Sequence, residues 1–224
     1  MTRRPRPDVG TTPDGSPVGL YLAIGTEGEP ELIHSVIPAG AEVLDLGSGV
    51  GRIAHALIAL GHPVVAVDES AEMLAHVRGA ETVRSKIEDL DLGRTFACVL
   101  LLSNLVNTPD DATRTRLLRS CRRHVSPDGL VLIERYDPKL RVHDGTWSGE
   151  YGGLAVTVEW TGEGAEARGK VTYDHPDGRR WTHEVRGHPR VLRDDAIRRE
   201  LAKADLRLVR VFGPKRRWCL ARAA

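Results

Sequence analysis

The sequence has few cysteines, and their number and spacing exclude two common roles. It contains three, Cys98, Cys121 and Cys219, among 224 residues. No Cys-x-x-Cys pair or Cys/His spacing predicts a zinc site, and an odd number argues against a disulfide framework. We therefore expect reduced thiols in the core of a cytoplasmic protein.

The sequence also lacks a strong net charge, a long apolar segment and a signal sequence. The formal net charge is +1, so no global electrostatic field would attract nucleic acid. No apolar run approaches the ~18 residues that a membrane span requires. The first residues are basic but lack the apolar segment of a secretion signal. We expect neither nucleic acid nor a membrane as partner, and a flexible tail over residues 1–17.

What the sequence does contain is an alternation of apolar strands and amphipathic helices up to residue 137. The clearest strand is the apolar run FACVLLL at 96–102, which is typical of a strand buried on both faces. With 41% hydrophobic residues, the chain can form one sizeable core, and we expect a single domain over 18–224. The alternation predicts an α/β fold with a parallel, doubly wound sheet.

The pattern changes to period-two alternation near residue 150. Residues 154–161, 168–174 and 179–186 are separated by glycine-containing turns, which predicts a three-stranded antiparallel meander. We expect this small β insertion, at 150–190, after the fifth core strand. A helix and an antiparallel pair of strands follow, which would complete a seven-stranded core sheet.

The clearest chemical signal lies in the stretch from Glu42 to Asp68. It predicts strand, glycine-rich turn, helix and strand, a unit that binds nucleotide-like ligands where its first strand ends. The turn reads Asp45-Leu46-Gly47-Ser48-Gly49-Val50-Gly51. A dinucleotide fingerprint would need glycine in place of Arg52, and Asp45 would repel a pyrophosphate. Asp68 is suited to both hydroxyls of a ribose, although by itself it could equally cap the next helix.

The acid-x-Gly-x-Gly-x-Gly spacing of this turn resembles the first motif of class I S-adenosylmethionine-dependent methyltransferases. Most of residues 18–137 is similar to that family. The segment 188–223 resembles the ending of the subgroup that methylates glycine, sugar amines and peptide amines. The resemblance implies a Rossmann-like fold and S-adenosyl-L-methionine as cofactor. It also implies methyl transfer to a nitrogen or oxygen of a small molecule or short peptide, with secondary metabolism as the expected setting.

The resemblance further implies which residues hold the cofactor. The glycine-rich turn would take the methionine part, the acid ending the second strand the ribose, and the bend at 86–90 the adenine. The end of the fourth strand would lie beside the methionine part and the transferring methyl, and a tyrosine in an N-terminal loop would lie near the sulfonium. Lys86 stands where many members have an acid, and Ala97 where an aspartate is usual. The predicted cofactor-binding residues are Tyr21, Asp45, Gly47, Ser48, Gly49, Gly51, Asp68, Glu69, Ile87, Glu88, Ser103 and Asn104.

Candidates for the acceptor side are aromatic and histidine side chains. Trp181 and His183 lie two residues apart on a predicted strand and so on one face, where His183 could act as a base. A lone histidine on a strand is more often a surface residue, and Tyr21 could equally be a core aromatic residue. The predicted substrate-binding residues are Tyr136, Trp147, Trp181 and His183, and the catalytic candidates are His183 and Tyr21. We expect no metal, because His143-Asp144 lacks further ligands.

Three other functions stay open from the sequence. A nucleic-acid methyltransferase is disfavoured by the near-neutral charge and by the lack of an Asn/Asp-Pro-Pro-Tyr motif after the fourth strand. A nicotinamide oxidoreductase is disfavoured by Asp45 and the glycine spacing. A non-methylating enzyme of the same fold would bind the same cofactor and differ in its product. We expect a monomer or a homodimer.

Overall fold

The computed structural model describes residues 10, 12, 15–163 and 166–224. These residues form two compact units. The large-sheet unit comprises Gly28–Arg141 and Pro189–Ala224, and the small-sheet unit comprises Val142–His188 and the described residues up to Glu27. Most of the tail predicted at 1–17 lies outside the described residues. The single domain predicted over 18–224 stays a prediction.

Helices and strands alternate through the first half of the chain, and strands dominate its centre. The strands are β1 Val43–Leu46, β2 Val64–Asp68, β3 Glu81–Arg84, β4 Phe96–Leu101, β5 Val125–Glu134, β6 Gly145–Tyr151, β7 Leu154–Thr161, β8 Arg168–Asp174, β9 Arg180–Arg186, β10 Leu206–Phe212 and β11 Trp218–Ala223. The helices are α1 Val18–Ala23, α2 Glu29–His34, α3 Arg52–Ala59, α4 Ala71–Leu74, α5 Asp111–His124 and α6 Asp194–Ala202. Short 3-10 turns lie at Ile87–Asp89, Leu105–Asn107 and Pro214–Arg216.

The large sheet, within the described residues, has seven strands in the order β10-β11-β5-β4-β1-β2-β3. Strands β3, β2, β1, β4 and β5 pair in parallel, and β11 runs antiparallel to both β5 and β10. The central strands are apolar because helices cover both faces of the sheet. The predicted α/β, doubly wound sheet of seven strands is therefore confirmed.

Side chains of the large sheet alternate between two cores on opposite faces. Leu44 and Leu46 of β1 belong to the core that also contains side chains of α5 and α6. Val43 belongs to the core that contains side chains of α2 and α3. Alternation places Asp45 on the same face as Val43. β1 therefore carries a buried acid within an otherwise apolar strand.

Two helix starts follow from capping side chains. Asp110 precedes α5, and its carboxylate accepts the Thr113 N–H at 2.6 Å. Ser70 precedes α4, and its hydroxyl accepts the Met73 N–H at 3.1 Å. The apolar spacing over 70–78 predicted a longer α4. The helix ends early because the N–H groups of residues 76 and 77 bond to carbonyls three residues back, which tightens the chain into a 3-10 turn.

Buried arginines fix the loops at one edge of the large sheet. Arg114 is fully buried, and its Nε donates to Val106 O at 2.9 Å. Arg135 is also fully buried, donates from Nη1 to Leu192 O at 2.6 Å and pairs with Asp194. Because a guanidinium has five donors in a rigid plane, each arginine restrains several backbone groups at once. The loops after β4 and before α6 are held in this way.

The small sheet, within the described residues, has four antiparallel strands in the order β6-β7-β8-β9. The sequence predicted the last three and missed β6. The segment GTWSGEY contains two glycines and only two large apolar side chains, so it lacks the apolar alternation that predicts a strand. The structure accounts for the glycine at position 149, because a Cβ on Gly149 would lie 2.6 Å from the Trp147 ring.

The small-sheet unit has a core of its own. Leu20 and Ile24 cluster with Leu154 of β7 and Trp181 of β9. Trp181 and His183 lie opposite Tyr173 and Val171 of β8, so the two share one face, as predicted. Tyr21 was expected in a loop, and that expectation was wrong, because it lies in α1.

The cysteines are free thiols buried in the large-sheet unit, as predicted. Cys98 lies in β4, Cys121 in α5 and Cys219 in β11. Burial raises the pKa of the Cys121 thiol to about 12 and that of Cys219 to about 11. It raises the pKa of Cys98 as well. None of these thiols is therefore activated as a nucleophile.

Candidate functional site

The predicted cofactor residues of the large-sheet unit gather at the carboxyl edge of its parallel strands. Asp45 is the penultimate residue of β1, Asp68 ends β2, and Ser103 follows β4 by two residues. Ligands of open α/β sheets bind at this edge, where the first strand gives way to a glycine-rich turn. The candidate site is therefore placed by the order of the strands.

The Asp68 carboxylate is held by two backbone donors. The Gly49 N–H donates to its Oδ2 at 2.9 Å, and the Ser70 N–H donates to its Oδ1 at 2.9 Å. Both oxygens have lone pairs left for further donors, such as two neighbouring hydroxyls. Because Ser70 itself caps α4, Asp68 is not needed as the helix cap. Its bond to Gly49 connects the acid of β2 to the glycine-rich turn.

The glycines of the turn differ in their surroundings, although all have positive φ. A Cβ on Gly47 would lie 2.8 Å from Leu105 Cδ1, and one on Gly51 would lie 3.0 Å from a histidine ring. Packing alone accounts for these two glycines. A Cβ on Gly49 would meet no described atom closer than Met73 Sδ, at 4.0 Å. Gly49 is the glycine at which a ligand could approach the backbone closely.

Asp45 is a buried acid with a perturbed pKa. It is 3% exposed, and burial raises its pKa to about 7, although Arg52 lowers it, while Asp68 raises it further. Arg52 begins α3, and its Nη1 pairs with Glu29 at 2.8 Å. A cationic group beside Asp45 would favour its ionised form. That is the environment in which an ammonium group would bind.

The bend predicted for the adenine is the 3-10 turn at Ile87–Asp89. Ile87 is buried, and its Cδ1 would lie 3.5 Å from a Cβ on Gly47, so this bend packs against the glycine-rich turn. Glu88 is half-buried, whereas Asp89 and Lys86 are exposed. Glu88 is therefore the better placed of the two carboxylates to meet an adenine edge.

The chain is strained where it leaves β4. Ser103 and Asn104 have φ of 54° and 58°, a left-handed conformation that costs a non-glycine residue about 1–3 kcal/mol. The Ser103 N–H donates to Glu134 Oε2 at 2.9 Å. Glu134 ends β5, and its Oε1 accepts a bond from Arg217 Nη2 at 2.6 Å. Burial raises the pKa of Glu134, and Arg217 opposes the rise.

Buried polar atoms without partners lie in the same segments. Ser48 Oγ and Asn104 Oδ1 have no hydrogen-bond partner among the described residues. Buried polar atoms in native structures nearly always have one. Both atoms belong to segments predicted to contact the methionine part of the cofactor. A ligand group with several N–H donors, such as an ammonium, would satisfy acceptors of this kind.

Most of the acceptor-side candidates belong to the small-sheet unit. Trp181 is buried in its core, and Trp147 is 56% exposed. The His183 ring stacks on Tyr173, with 5.8 Å between the ring centroids. Tyr21 lies half-buried in α1. The roles of these residues toward an acceptor stay predictions.

Tyr136 is the acceptor-side candidate of the large-sheet unit. Its N–H donates to Asn107 Oδ1 at 2.9 Å. Asn107 also bonds to Arg190 through both backbone groups of that residue. The loop after β4 is thereby joined to the loop after β5.

Among the described residues, no three His, Cys, Asp or Glu side chains are grouped as a metal site would require.

The sequence reasoning missed the charged residues that surround the site. Arg52 was used only to reject the dinucleotide fingerprint, and neither Glu134 nor Arg217 was assigned a role in the site. An acid at the end of the predicted fifth strand was a usable signal for Glu134, because the ends of parallel strands meet at one edge. Arg217 gave no such signal, since its partner is 83 residues away in the chain.

Known proteins similar to this chain are methyltransferases. The cypemycin N-terminal methyltransferase of Streptomyces sp is 34% identical over 106 residues, which are 44% of this chain and 43% of that protein. The ubiquinone biosynthesis O-methyltransferase of Xanthomonas oryzae pv. oryzae is 33% identical over 106 residues, 42% of this chain and 43% of that protein. The chain thus matches less than half the length of these curated relatives.

A solved structure shares the fold. S-adenosylmethionine-bound CalS10, an amino pentose methyltransferase from Micromonospora echinaspora, superimposes with a TM-score of 0.66 at 21% identity. The superposition covers 87% of this chain and 88% of that protein. The predicted Rossmann-like class I fold is confirmed by this likeness. The family model described as a methyltransferase domain matches residues 29–211, well over half of the chain, and the protein therefore belongs to the methyltransferase-domain family.

Proposed function

We propose that this protein transfers a methyl group from S-adenosyl-L-methionine to a nitrogen or oxygen of a small molecule or short peptide. The observation that carries the proposal is that two acids, Asp45 and Asp68, lie at the carboxyl edge of the sheet beside the glycine-rich turn. Asp45 lies buried at the start of the glycine-rich turn, and Asp68 bonds to Gly49 within that turn. One acid suits an ammonium and the other a pair of ribose hydroxyls.

The residues present fit this cofactor along its length. Asp45 would take the methionine part, together with the Ser48 and Asn104 oxygens that have no partner among the described residues. Asp68 and the adjacent Glu69 would hold the ribose, and Ile87 and Glu88 the adenine. When bound, S-adenosylmethionine supplies a methyl group already activated on a sulfonium.

The chain's own contribution would be alignment and exclusion of water. Fixing an acceptor at attack distance can contribute about 7–11 kcal/mol to lowering the barrier. The held turn at Ser103 and Asn104, beside the predicted position of the methyl group, supports such positioning. An amine acceptor must lose a proton, and His183 and Tyr21 are the candidates for receiving it.

The acceptor class rests on the named relatives. One acts on cypemycin at its N-terminus, one belongs to ubiquinone biosynthesis, and one methylates an amino pentose. These names support small or peptide acceptors, and two of them suit secondary metabolism. The net charge of +1 argues against nucleic acid as the acceptor.

We further propose a monomer or homodimer in the cytoplasm. No helix among the described residues is long and apolar enough to cross a membrane.

Binding and turnover together test the proposal. The full chain should bind S-adenosylhomocysteine saturably in calorimetry and not NADH. With labelled S-adenosylmethionine, a panel of amino sugars, peptides with free N-termini and phenols should include an acceptor that gains the label. S-adenosylhomocysteine should form in equal amount. Binding without label transfer to any acceptor would favour the non-methylating alternative, and binding of NADH alone would contradict the assignment.

Asp45 makes cofactor affinity depend on pH. Burial raises its pKa in the folded chain to about 7. The contribution of its protonated form to the stability of the fold is therefore complete below about pH 4 and is lost as the pH rises through about 7. A ligand ammonium favours the ionised form. We expect the affinity for S-adenosylhomocysteine to rise between about pH 5.5 and 7, by up to about tenfold per pH unit, while the ligand's α-ammonium stays charged.

The control for this pH dependence is Asp45→Asn, which cannot ionise at this position. Its affinity should be lower and nearly independent of pH over the same range. Calorimetry in two buffers of different ionisation enthalpy should show about half a proton released per ligand bound by the unmodified chain near pH 7. An equal pH slope in both proteins would show that another group is responsible.

A further inference from the structure

The turn after β4 contains two consecutive left-handed residues that are not glycine. Ser103 and Asn104 have φ of 54° and 58°. Such conformations persist where the surrounding contacts determine them, and they concentrate at functional sites. The contacts that determine this turn therefore indicate which residues control its geometry.

Glu134 supplies the long-range contact to this turn. Its Oε2 accepts the Ser103 N–H at 2.9 Å, across 31 residues of chain. Its Oε1 accepts from Arg217 Nη2 at 2.6 Å. Arg217 immediately precedes β11, and Glu134 pairs with Trp218 in the sheet register. Since Glu134 is 3% exposed, water cannot easily replace either bond. The carboxylate thus connects the ends of β4 and β5 with the start of β11.

Glu134 and Asp45, the acid suited to a ligand ammonium, are affected by one common charge, that of Arg52. Besides Arg217, the charges that act on Glu134 are Glu29, which raises its pKa, and Arg52, which lowers it. Arg52 also lowers the pKa of Asp45. The two carboxylates therefore share one neighbouring guanidinium.

We propose that Glu134 is a positioning residue for the methyl donor, which holds the Ser103–Asn104 turn in its left-handed conformation through the Ser103 N–H. The proposal rests on the proposed function, because the turn matters only if it borders the donor. Glu134 lies outside the glycine-rich motif, and it acts on the donor through the turn. The buried Asn104 Oδ1, which lacks a partner among the described residues, is the atom whose position depends on this support.

Glu134→Gln is the primary test. A carboxylate offers acceptors to both Ser103 and Arg217, whereas an amide offers one acceptor and one donor, so either orientation of the new amide loses one bond. We expect the dissociation constant for S-adenosylhomocysteine to rise at least about tenfold. The second change Ser103→Gly, made in the same protein, should recover part of this loss. Glycine adopts positive φ without steric strain and needs less support.

The matched control is Glu200→Gln. Glu200 is a buried acid of the same unit, 7% exposed and paired with Lys203 at 2.8 Å. It also lies 3.8 Å from Arg114 Nη1, but the bond of Arg114 to the loop after β4 is made by Nε to Val106 O. Its replacement should lower the unfolding temperature without changing the dissociation constant more than about threefold. If Glu134→Gln does not fold, Glu134→Asp retains the charge and shortens the reach, and it should show the same loss of affinity.

The outcomes separate this proposal from the proposed function. If the unmodified chain binds S-adenosylhomocysteine and both Glu134 variants bind equally well, the positioning role is contradicted and the function is untouched. Equal losses in Glu134→Gln and Glu200→Gln would also contradict it, since they would reflect general destabilisation. If the unmodified chain does not bind the ligand, the proposed function and this inference both fail.

Discussion

Gly49→Val should abolish binding of S-adenosylhomocysteine, with an affinity loss on the order of 100-fold or more, about 2.8 kcal/mol. The fold should survive, because the nearest described atom to a Cβ at this position is Met73 Sδ, at 4.0 Å. The loss should arise because the added side chain occupies the side of the turn that the ligand must approach. Calorimetry and thermal unfolding of the same preparation measure the two effects separately.

Gly61→Val is the matched control for this substitution. Gly49 lies shortly before α3, and Gly61 lies shortly after it. Gly61 has φ of 88°, and a Cβ there would have no described atom within 4 Å. Valine at either position suffers a similar backbone strain, about 1–2 kcal/mol. The two variants should therefore lose similar stability, while only the Gly49 variant loses the ligand. Retained binding in Gly49→Val would contradict the close approach of a ligand to this turn.

Asp68→Ala should weaken S-adenosylhomocysteine binding by at least about 100-fold. Hydrogen bonds to a charged group contribute about 1.5–3 kcal/mol each, and two ribose hydroxyls would lose their acceptor. The Gly49 and Ser70 N–H groups, at 2.9 Å from the carboxylate, would lose theirs as well. The control is Asp91→Ala, which removes an exposed carboxylate that accepts the Gly93 N–H at 3.0 Å and should leave binding unchanged.

A comparison of two ligands separates the ribose contact from support of the turn. The unmodified chain should bind adenosine more tightly than 2′-deoxyadenosine. The deoxy ligand lacks one of the two hydroxyls that would donate a hydrogen bond to the carboxylate. Asp68→Ala should bind both equally if the carboxylate contacts the ribose. If the preference for adenosine persists in the variant, Asp68 acts on the turn alone and the ribose assignment is wrong.

The fold was predictable where one segment carries its own pattern. The apolar run of β4, the glycine-rich turn after β1 and the acidic start of α5 are local signals, and each gave the correct element. β6 was missed because it is mostly exposed and contains two glycines, one of which makes room for Trp147. Tyr21 was assigned to a loop because six helical residues, Val18–Ala23, are too few for periodicity to be decisive.

The candidate site was predictable to the same extent. Asp45, Gly49 and Asp68 lie within one continuous motif, and the bond between the last two spans 19 residues. Glu134 and Arg217 join the site through contacts that span 31 and 83 residues. Such contacts depend on the order of the strands in the sheet, which a local pattern does not contain. The motif identifies the donor, whereas the residues that support the site require the assembled sheet.

The three buried thiols can report local unfolding of the chain. At pH 8 a thiol with a pKa of about 11, such as that of Cys219, is ionised in about one molecule in a thousand. All three thiols are fully buried, so a thiol reagent can label the chain only when a segment opens. Cys98, Cys121 and Cys219 lie in β4, α5 and β11, so the order in which they are labelled would map how these elements come apart, without an added probe.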